Sequence, residues 1–466
     1  MNDRAGGSSR TRCAAIAVPV LAAWLAASTF AQAPERVALT EARVLPISGP
    51  PIENATVLIE RGKIKEVGRD VAIPFDARVF KLKGKTIMPG MINPDDWRGL
   101  DTPNESRPVT AHLDAFDAID PSRLFFEDEL RLGITAIHTL PAGNCTIGGI
   151  GRVVRPIGLS PAEMVFGEGE FLKVSVSPRG GADRIVQLGL LRETFRELQD
   201  YQDRLAEKRY EEKLKEDEKD IDVGPEEAKK RGRDLIRAQD IDEEHRNLLR
   251  LTGGKVKVLG EEGPQVFEPL GAFIECAGAT DVGAAVRIAR DNGFIDRTVL
   301  CLGPECYKAI DEIKESGRPV VLPGNLVYEE TDPLTGKRSE TFVVTRFADA
   351  GVKFALSPGS NSSLPERMLT YQAARCVREG VRRDVALKAI TLNAAEIIGQ
   401  ADRLGSIEAG KDGTVVVFSG DPLDFSSVIE MVFIEGIPVY NRATDRRIQR
   451  LISHSDTPEG ADDKPE

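Results

Sequence analysis

Two stretches of the chain carry β-strand patterns, and they lie near opposite ends. Asn54 to Glu60 and Lys63 to Val67 are runs of β-formers around Arg61-Gly62, which predicts a hairpin. Thr414 to Phe418 reads as a buried strand, and 431–434 and 437–440 flank Glu435-Gly436 as a second hairpin. Residues 36–87 and 401–450 are therefore expected to pair into one small composite β domain. Between them, about 88–400, apolar strand-like runs alternate with helical patterns. The runs include 133–138, 271–274, 297–300, 319–322 and 352–356; the helical stretches are 281–292, 307–316, 365–379 and 383–390. That alternation predicts α/β architecture with a parallel sheet, and at this length a barrel.

One segment breaks the rhythm. Residues 190–250 are helical and heavily charged, with Leu191, Phe195, Leu198, Tyr201 and Leu205 at helical spacing. Val223-Gly224-Pro225 interrupts the segment, and Pro225 suits the first turn of a following helix. A helical hairpin projecting from the barrel is expected. Its charge reads as a solvated face, or else as a surface for a partner. The stretch 452–466 is acidic and rich in Pro and Gly, which predicts a disordered tail.

Composition adds compartment and partners. With 466 residues, 41% of them hydrophobic, the chain can bury a large core. A net charge of −12 argues against a broad surface for nucleic acid or anionic membrane. Arg4, Arg10 and Arg12 precede an apolar run at 13–28, followed by small residues around Ala31. Residues 1–31 are expected to be a signal peptide cut after Ala31, giving an exported protein, periplasmic or secreted. No later segment is apolar enough to span a membrane. Of six cysteines, five follow that stretch: Cys145, Cys276, Cys301, Cys306 and Cys376. An odd number with irregular spacing gives no disulfide framework, so most are expected to be small core residues.

Residues 86–97 read TIMPGMINPDDW. Near the other end stand ALKAITLNAAEIIG, 386–399, and ADRLGSIEAGKDGTVVVFSGDPLD, 401–424. In this order and at this separation they resemble the amidohydrolase superfamily, in the branch related to imidazolonepropionase. PAGNCTIGG, 141–149, is similar to a Gly-rich loop of that branch. The resemblance implies a (β/α)8 TIM barrel with a small composite β-sandwich domain formed by both chain ends, plus the helical insertion. It also implies a metal, usually zinc, at the C-terminal mouth of the barrel. There a metal lowers the pKa of a water and polarises the scissile carbonyl.

The positions that would hold that metal are substituted. The family's two first-strand histidines correspond to Asp95 and Trp97. The next falls at Glu275, and the one after that near Cys301 or Leu302. The late aspartate falls at Gly359. Only four histidines exist, His112, His138, His245 and His454, and none stands at a matching position. A mixed set of Asp95, Asp96, Glu275, Cys276 and Cys301 suits neither a hard nor a soft ion. No bound cofactor is therefore expected.

Two further signals are weak. Gly143, Gly148, Gly149 and Gly151 beside Arg152 and Arg155 have the residue types of an anion cradle, and equally those of a tight turn. Ser357, Ser360, Ser362 and Ser363 form no nucleophile elbow. The expectation is an exported amidohydrolase-like protein that has lost metal catalysis and is retained for binding or assembly. Its partners would be a small molecule in the barrel mouth, a second copy, or an active homologue. The rival is a hydrolase of non-peptide C–N bonds with a rebuilt site, using Asp95, Glu275 and His138 as acid–base residues.

Overall fold

The computed structural model describes residues 35–101, 107–167, 171–179, 181, 183–220, 223–253, 256–260, 263–359 and 367–455. The expected signal peptide, Ser360, Ser362, Ser363 and residues 456–466 lie outside them. The chain opens with β1 (Arg36–Val44), β2 (Ile52–Glu60), β3 (Lys63–Gly68), β4 (Arg78–Lys81) and β5 (Thr86–Pro89). The middle carries β6 (Met91–Asp96), β7 (Ile134–Thr139), β8 (Ile147–Ile150), β9 (Arg152–Val154), β10 (Val165–Gly167) and β11 (Phe171–Ser175). After a helical segment come a hairpin of β12 (Val256–Gly260) and β13 (Gly263–Phe267), then β14 (Gly271–Cys276), β15 (Thr298–Leu302) and β16 (Val320–Leu322). A second hairpin of β17 (Val327–Thr331) and β18 (Arg338–Phe342) precedes β19 (Phe354–Leu356). The chain closes with β20 (Val415–Phe418), β21 (Ile429–Ile434) and β22 (Ile437–Asn441).

Both chain ends share one sheet, ordered β22-β21-β20-β5-β1-β2-β3, with β4 also on β1. β1 forks: Val37 to Thr40 pair with β4, while Arg43 and Val44 pair with β5. The two expected layers of a sandwich are thus one forked eight-stranded sheet. Side chains alternate across it. Ile87, Val415, Val417 and Phe433 join Leu39, Val57 and Ile59 in a small core. Met88, Val416, Phe418 and Val432 face the other way, into the main core of the molecule. Both hairpins have positive φ at both turn residues: Arg61 49° and Gly62 79°, Glu435 48° and Gly436 76°. Such turns match the right-handed twist of the flanking strands.

The middle is built on parallel strands. β6 and β7 pair in parallel, as do β11, β14, β15, β16 and β19 in succession. Of the segment 141–149 expected as a Gly-rich loop, residues 141–146 are irregular, while 147–149 belong to β8, which leads through Gly151 into β9. β9 runs antiparallel to β7, and β8 antiparallel to β11. Seven residues, 140–146, separate β7 from β8. A parallel crossover needs about a dozen or more, so the chain returns in the opposite direction. Among the described residues the ladders form a four-stranded and a six-stranded sheet in place of eight regular β/α units. At the far edges, Ser357 Oγ donates to Asn93 Oδ1 at 3.3 Å and to the Asp95 carbonyl at 3.0 Å, joining the residue after β19 to β6.

The charged insertion begins earlier than 190. Its first helix spans Arg184–Glu216, capped by Asp183, whose carboxylate accepts from Val186 N at 2.9 Å. A helix over Pro225–Gly232 returns along it, with Pro225 in the first turn. The insertion does not simply project: Leu191, Phe195, Leu198 and Tyr201 are buried in the main core. Only the distal part has its own small cluster, Tyr210, Leu214 and Ala228. At the C-terminus, helix Arg446–Ser455 runs through the first residues of the expected disordered tail. Among the described residues, no helix is long and apolar enough to cross a membrane.

Candidate functional site

Period-two alternation decides which side chains face inward between the four-stranded and six-stranded sheets. Ile92, Ala136, Phe273, Val299, Cys301, Val321 and Ala355 form one interior cluster, while Ile274, Leu300 and Leu322 on the same strands face the surrounding helices. Above this apolar plug, at the C-terminal ends of the parallel strands, lies a cavity of about 1030 Å³. All five substituted positions, Asp95, Trp97, Glu275, Leu302 and Gly359, line it together. Lys173 and Arg179 line it too, and the sequence reading passed over both.

Those two cations organise the site. Lys173 Nζ donates to both oxygens of Asp95, at 3.0 and 2.8 Å, and Lys173 is only 7% exposed. Burial works against its charge, but Asp95, with Cys301 and Glu275 nearby, outweighs burial and holds its pKa above the usual lysine value. Arg179 forms an ion pair with Glu275, and its Nε donates to Ser175 Oγ at 3.0 Å. Gly143 backs directly onto that pair, and a Cβ there would collide with the Glu275 carboxylate. Its lack of a side chain therefore serves close approach, not an anion cradle. Burial pushes the Cys301 thiol well above its usual value, and neighbouring Asp95 adds to the effect.

The donor set does not fit zinc. Asp95 is occupied by a buried ammonium and Glu275 by a guanidinium, so positive charge already stands where a cation would bind. Trp97 and Leu302 offer no ligand atom, and Gly359 no side chain. Among the described residues, no group of three or more His, Cys, Asp or Glu is placed to hold a metal ion.

His138 is not brought to this site. It is fully buried beneath the cavity, Nδ1 lying 3.1 Å from the Pro94 carbonyl, its ring against Phe171 and Phe273 with centroids 5.7 and 4.8 Å away. Burial lowers its pKa to about 3. The imidazole thus stays neutral in the fold but protonates near 6.5 when unfolded. Stability from this residue is present above about pH 6.5 and is lost as pH falls toward 3. His138→Leu, which cannot titrate, is expected to make the slope of the urea midpoint against pH less positive throughout that window. An unchanged slope would show that another group sets it.

The remaining candidates serve the fold. His112 lies half-buried in a loop, and His245 stacks on Tyr201 at 3.8 Å within the insertion. Arg152 pairs with Asp114, and Arg155 with Glu435. The N–H groups of Ile150 and Gly151 donate to Leu113 and Phe171 carbonyls, so they are not free to cradle an anion. Asp96 turns away from the cavity and accepts from Asn93 Nδ2 at 2.8 Å and Arg98 Nη2 at 2.6 Å; Arg98 also reaches buried Glu129 at 3.4 Å. The signal that could have found Lys173 is FLKVS, a lysine at an inward position of an otherwise apolar and small strand.

Residues 266–441 match the model of the amidohydrolase family. The imidazolonepropionase of Shouchella clausii is 34% identical over 112 residues, 23% of each chain. That of Phocaeicola vulgatus is 42% identical over 82 residues, 16% of this chain and 19% of the relative. The chain thus spans about a quarter or less of the length of these curated relatives. Over the fold, it is similar to the crystal structure of an amidohydrolase from Thermotoga maritima MSB8, with a TM-score of 0.65 and 26% identity, covering 87% of this chain and 100% of that one.

Proposed function

We propose, for a chain that carries an amidohydrolase-family domain and is homologous to imidazolonepropionases, a metal-independent role: an exported protein whose barrel mouth binds a small polar molecule. Seven parallel strands and one reversed pair are read as an amidohydrolase barrel with its third place inverted. One observation carries the proposal. The two carboxylates at former ligand positions, Asp95 and Glu275, are each held by a cation from the same cavity wall. Two opposed ion pairs give a wall of near-zero net charge with donors and acceptors of both signs. That suits a small dipolar or zwitterionic molecule better than a simple anion or cation.

Elemental analysis of pure protein tests this, alongside a screen of cyclic amides with and without chelator. The expected result is zinc far below one equivalent and no chelator-sensitive hydrolysis. A full equivalent of zinc, with lactam hydrolysis abolished by chelator, would sink the proposal.

The rebuilt-site C–N hydrolase is the second reading. It is favoured by Asp95 and Glu275 meeting in one cavity, though not by His138. Assembly through the insertion has less support: its apolar stripe is largely consumed by the core, and Arg209 and Arg233 are paired with Asp240 and Asp203 inside it. Export rests on the pattern of residues 1–31 alone.

A further inference from the structure

The cavity contains a thiol at or beside the place of a former metal ligand. Cys301 is an inward residue of β15, opposite Glu275 of β14 in register, and it lines the cavity floor. Its sulfur has Asp95, Lys173 and Glu275 as charged neighbours. Asp95 is anchored from the other side by both its oxygens on Lys173. A nucleophile, a carboxylate and a fixed buried cation thus meet at one end of a space large enough for a small amide. A cysteine kept only as a core residue needs neither of the other two.

We propose that Cys301 is a nucleophile for acyl transfer from small amides, lactams or activated esters, with Asp95 as its base and Lys173 as the cation that receives the oxyanion. This rests on the metal-independent reading of the same cavity.

The step balances within the three residues. The Cys301 sulfur adds to the acyl carbon while its proton passes to Asp95. The carbonyl electron pair moves to oxygen, giving an oxyanion that pairs with the Lys173 ammonium. Negative charge moves from Asp95 to the oxyanion beside the same cation, so the buried site gains no net charge. Collapse breaks the C–N or C–O bond, and Asp95 returns the proton to the leaving group. Water, deprotonated by Asp95, then adds to the thioester, which releases the carboxylic acid and restores the thiol. Burial keeps the resting sulfur as a thiol, so the base is required, and the thiol is protected until a substrate arrives.

The test uses the full chain with p-nitrophenyl acetate, a small acyl donor. Metal content is measured on the same sample, with parallel incubations in chelator. The expected result is a burst of nitrophenolate and one acetyl group on the peptide carrying Cys301, removed by neutral hydroxylamine as a thioester is. Chelator should leave both unchanged. Cys301→Ala should lose the adduct, and Asp95→Asn should slow its formation by about 100-fold. Peptide mapping of the unmodified chain keeps the test valid if a variant fails to fold. No acetylation, acetylation at Cys276 or a lysine instead, or an adduct that survives in Cys301→Ala, overturns the inference. Zinc at one equivalent overturns the metal-independent reading separately, and chelator-sensitive acetylation would overturn both.

Discussion

Lys173→Met is expected to destabilise the protein by about 3–5 kcal/mol at neutral pH, because it leaves Asp95 without its partner in a poorly solvated site. Lys173 and Asp95 have side-chain exposures of 9% and 21%, so water cannot replace the lost hydrogen bonds fully. Methionine keeps most of the volume, which limits any cavity contribution. The double variant Lys173→Met/Asp95→Asn should recover much of the loss, since it removes the stranded charge along with the ammonium. Urea denaturation of the two single variants and the double one closes the cycle. Additive losses would mean that the pair is not coupled, and the reading of the cavity wall as two ion pairs would fail.

Glu129→Gln should act in the opposite direction, increasingly as pH rises above about 4.5. Glu129 is buried, and its carboxyl is pushed up to about 8, first by burial. Arg98 opposes that, but Asp96 claims the guanidinium at 2.6 Å and itself repels the second negative charge. A folded pKa above the ordinary 4.5 means the folded state holds a proton that the unfolded state has released. Stability from this group is therefore full below about pH 4.5 and is lost as pH rises through about 8. The glutamine variant should lack that decline and be more stable than the parent at pH 9, by an amount on the order of 3–5 kcal/mol. Chemical denaturation at pH 5, 7 and 9 decides it, and a parent as stable at pH 9 as at pH 5 would refute the argument. Set beside His138, whose contribution runs the other way between pH 3 and 6.5, the two slopes cancel across the overlap. A plateau between about pH 4.5 and 6.5 is the combined expectation.

How far the sequence could be read depended on whether a local pattern had one structural solution. Arg61-Gly62 and Glu435-Gly436 between β-formers had one, and both became two-residue turns. The frame at 86–97 placed Asp95 and Trp97, and with the later resemblances it placed Glu275, Leu302 and Gly359, all on the cavity wall. Gly148-Gly149-Ile150-Gly151 had two solutions. As a loop its glycines would supply unusual φ; in the structure they permit close packing, since a Cβ on Gly151 would lie 2.8 Å from His138 Nε2. The deciding quantity was the seven-residue connection after β7, which is too short for a crossover helix. Lys173 and Arg179 stayed hidden because each acts through a partner about a hundred residues or fewer away in the chain yet adjacent in space. His138 looked available because imidazoles often are; only the placement of Phe171 and Phe273 shows that it is sealed.

The forked end sheet also governs when the fold can be completed. Pro89 of β5 pairs with Val415 of β20, a separation of 326 residues (415 − 89). At synthesis rates of about 5–20 residues per second, β5 waits some tens of seconds or less for its neighbour, with one edge bare. Pairings this distant are entropically costly and form late. A chain ending before Val415 would have every strand of the four-stranded and six-stranded sheets but no cover over Met88, and the loss would fall on the residues made first. Truncation at the C-terminus should therefore appear in limited proteolysis as cleavage near the N-terminal strands, far from the cut that caused it.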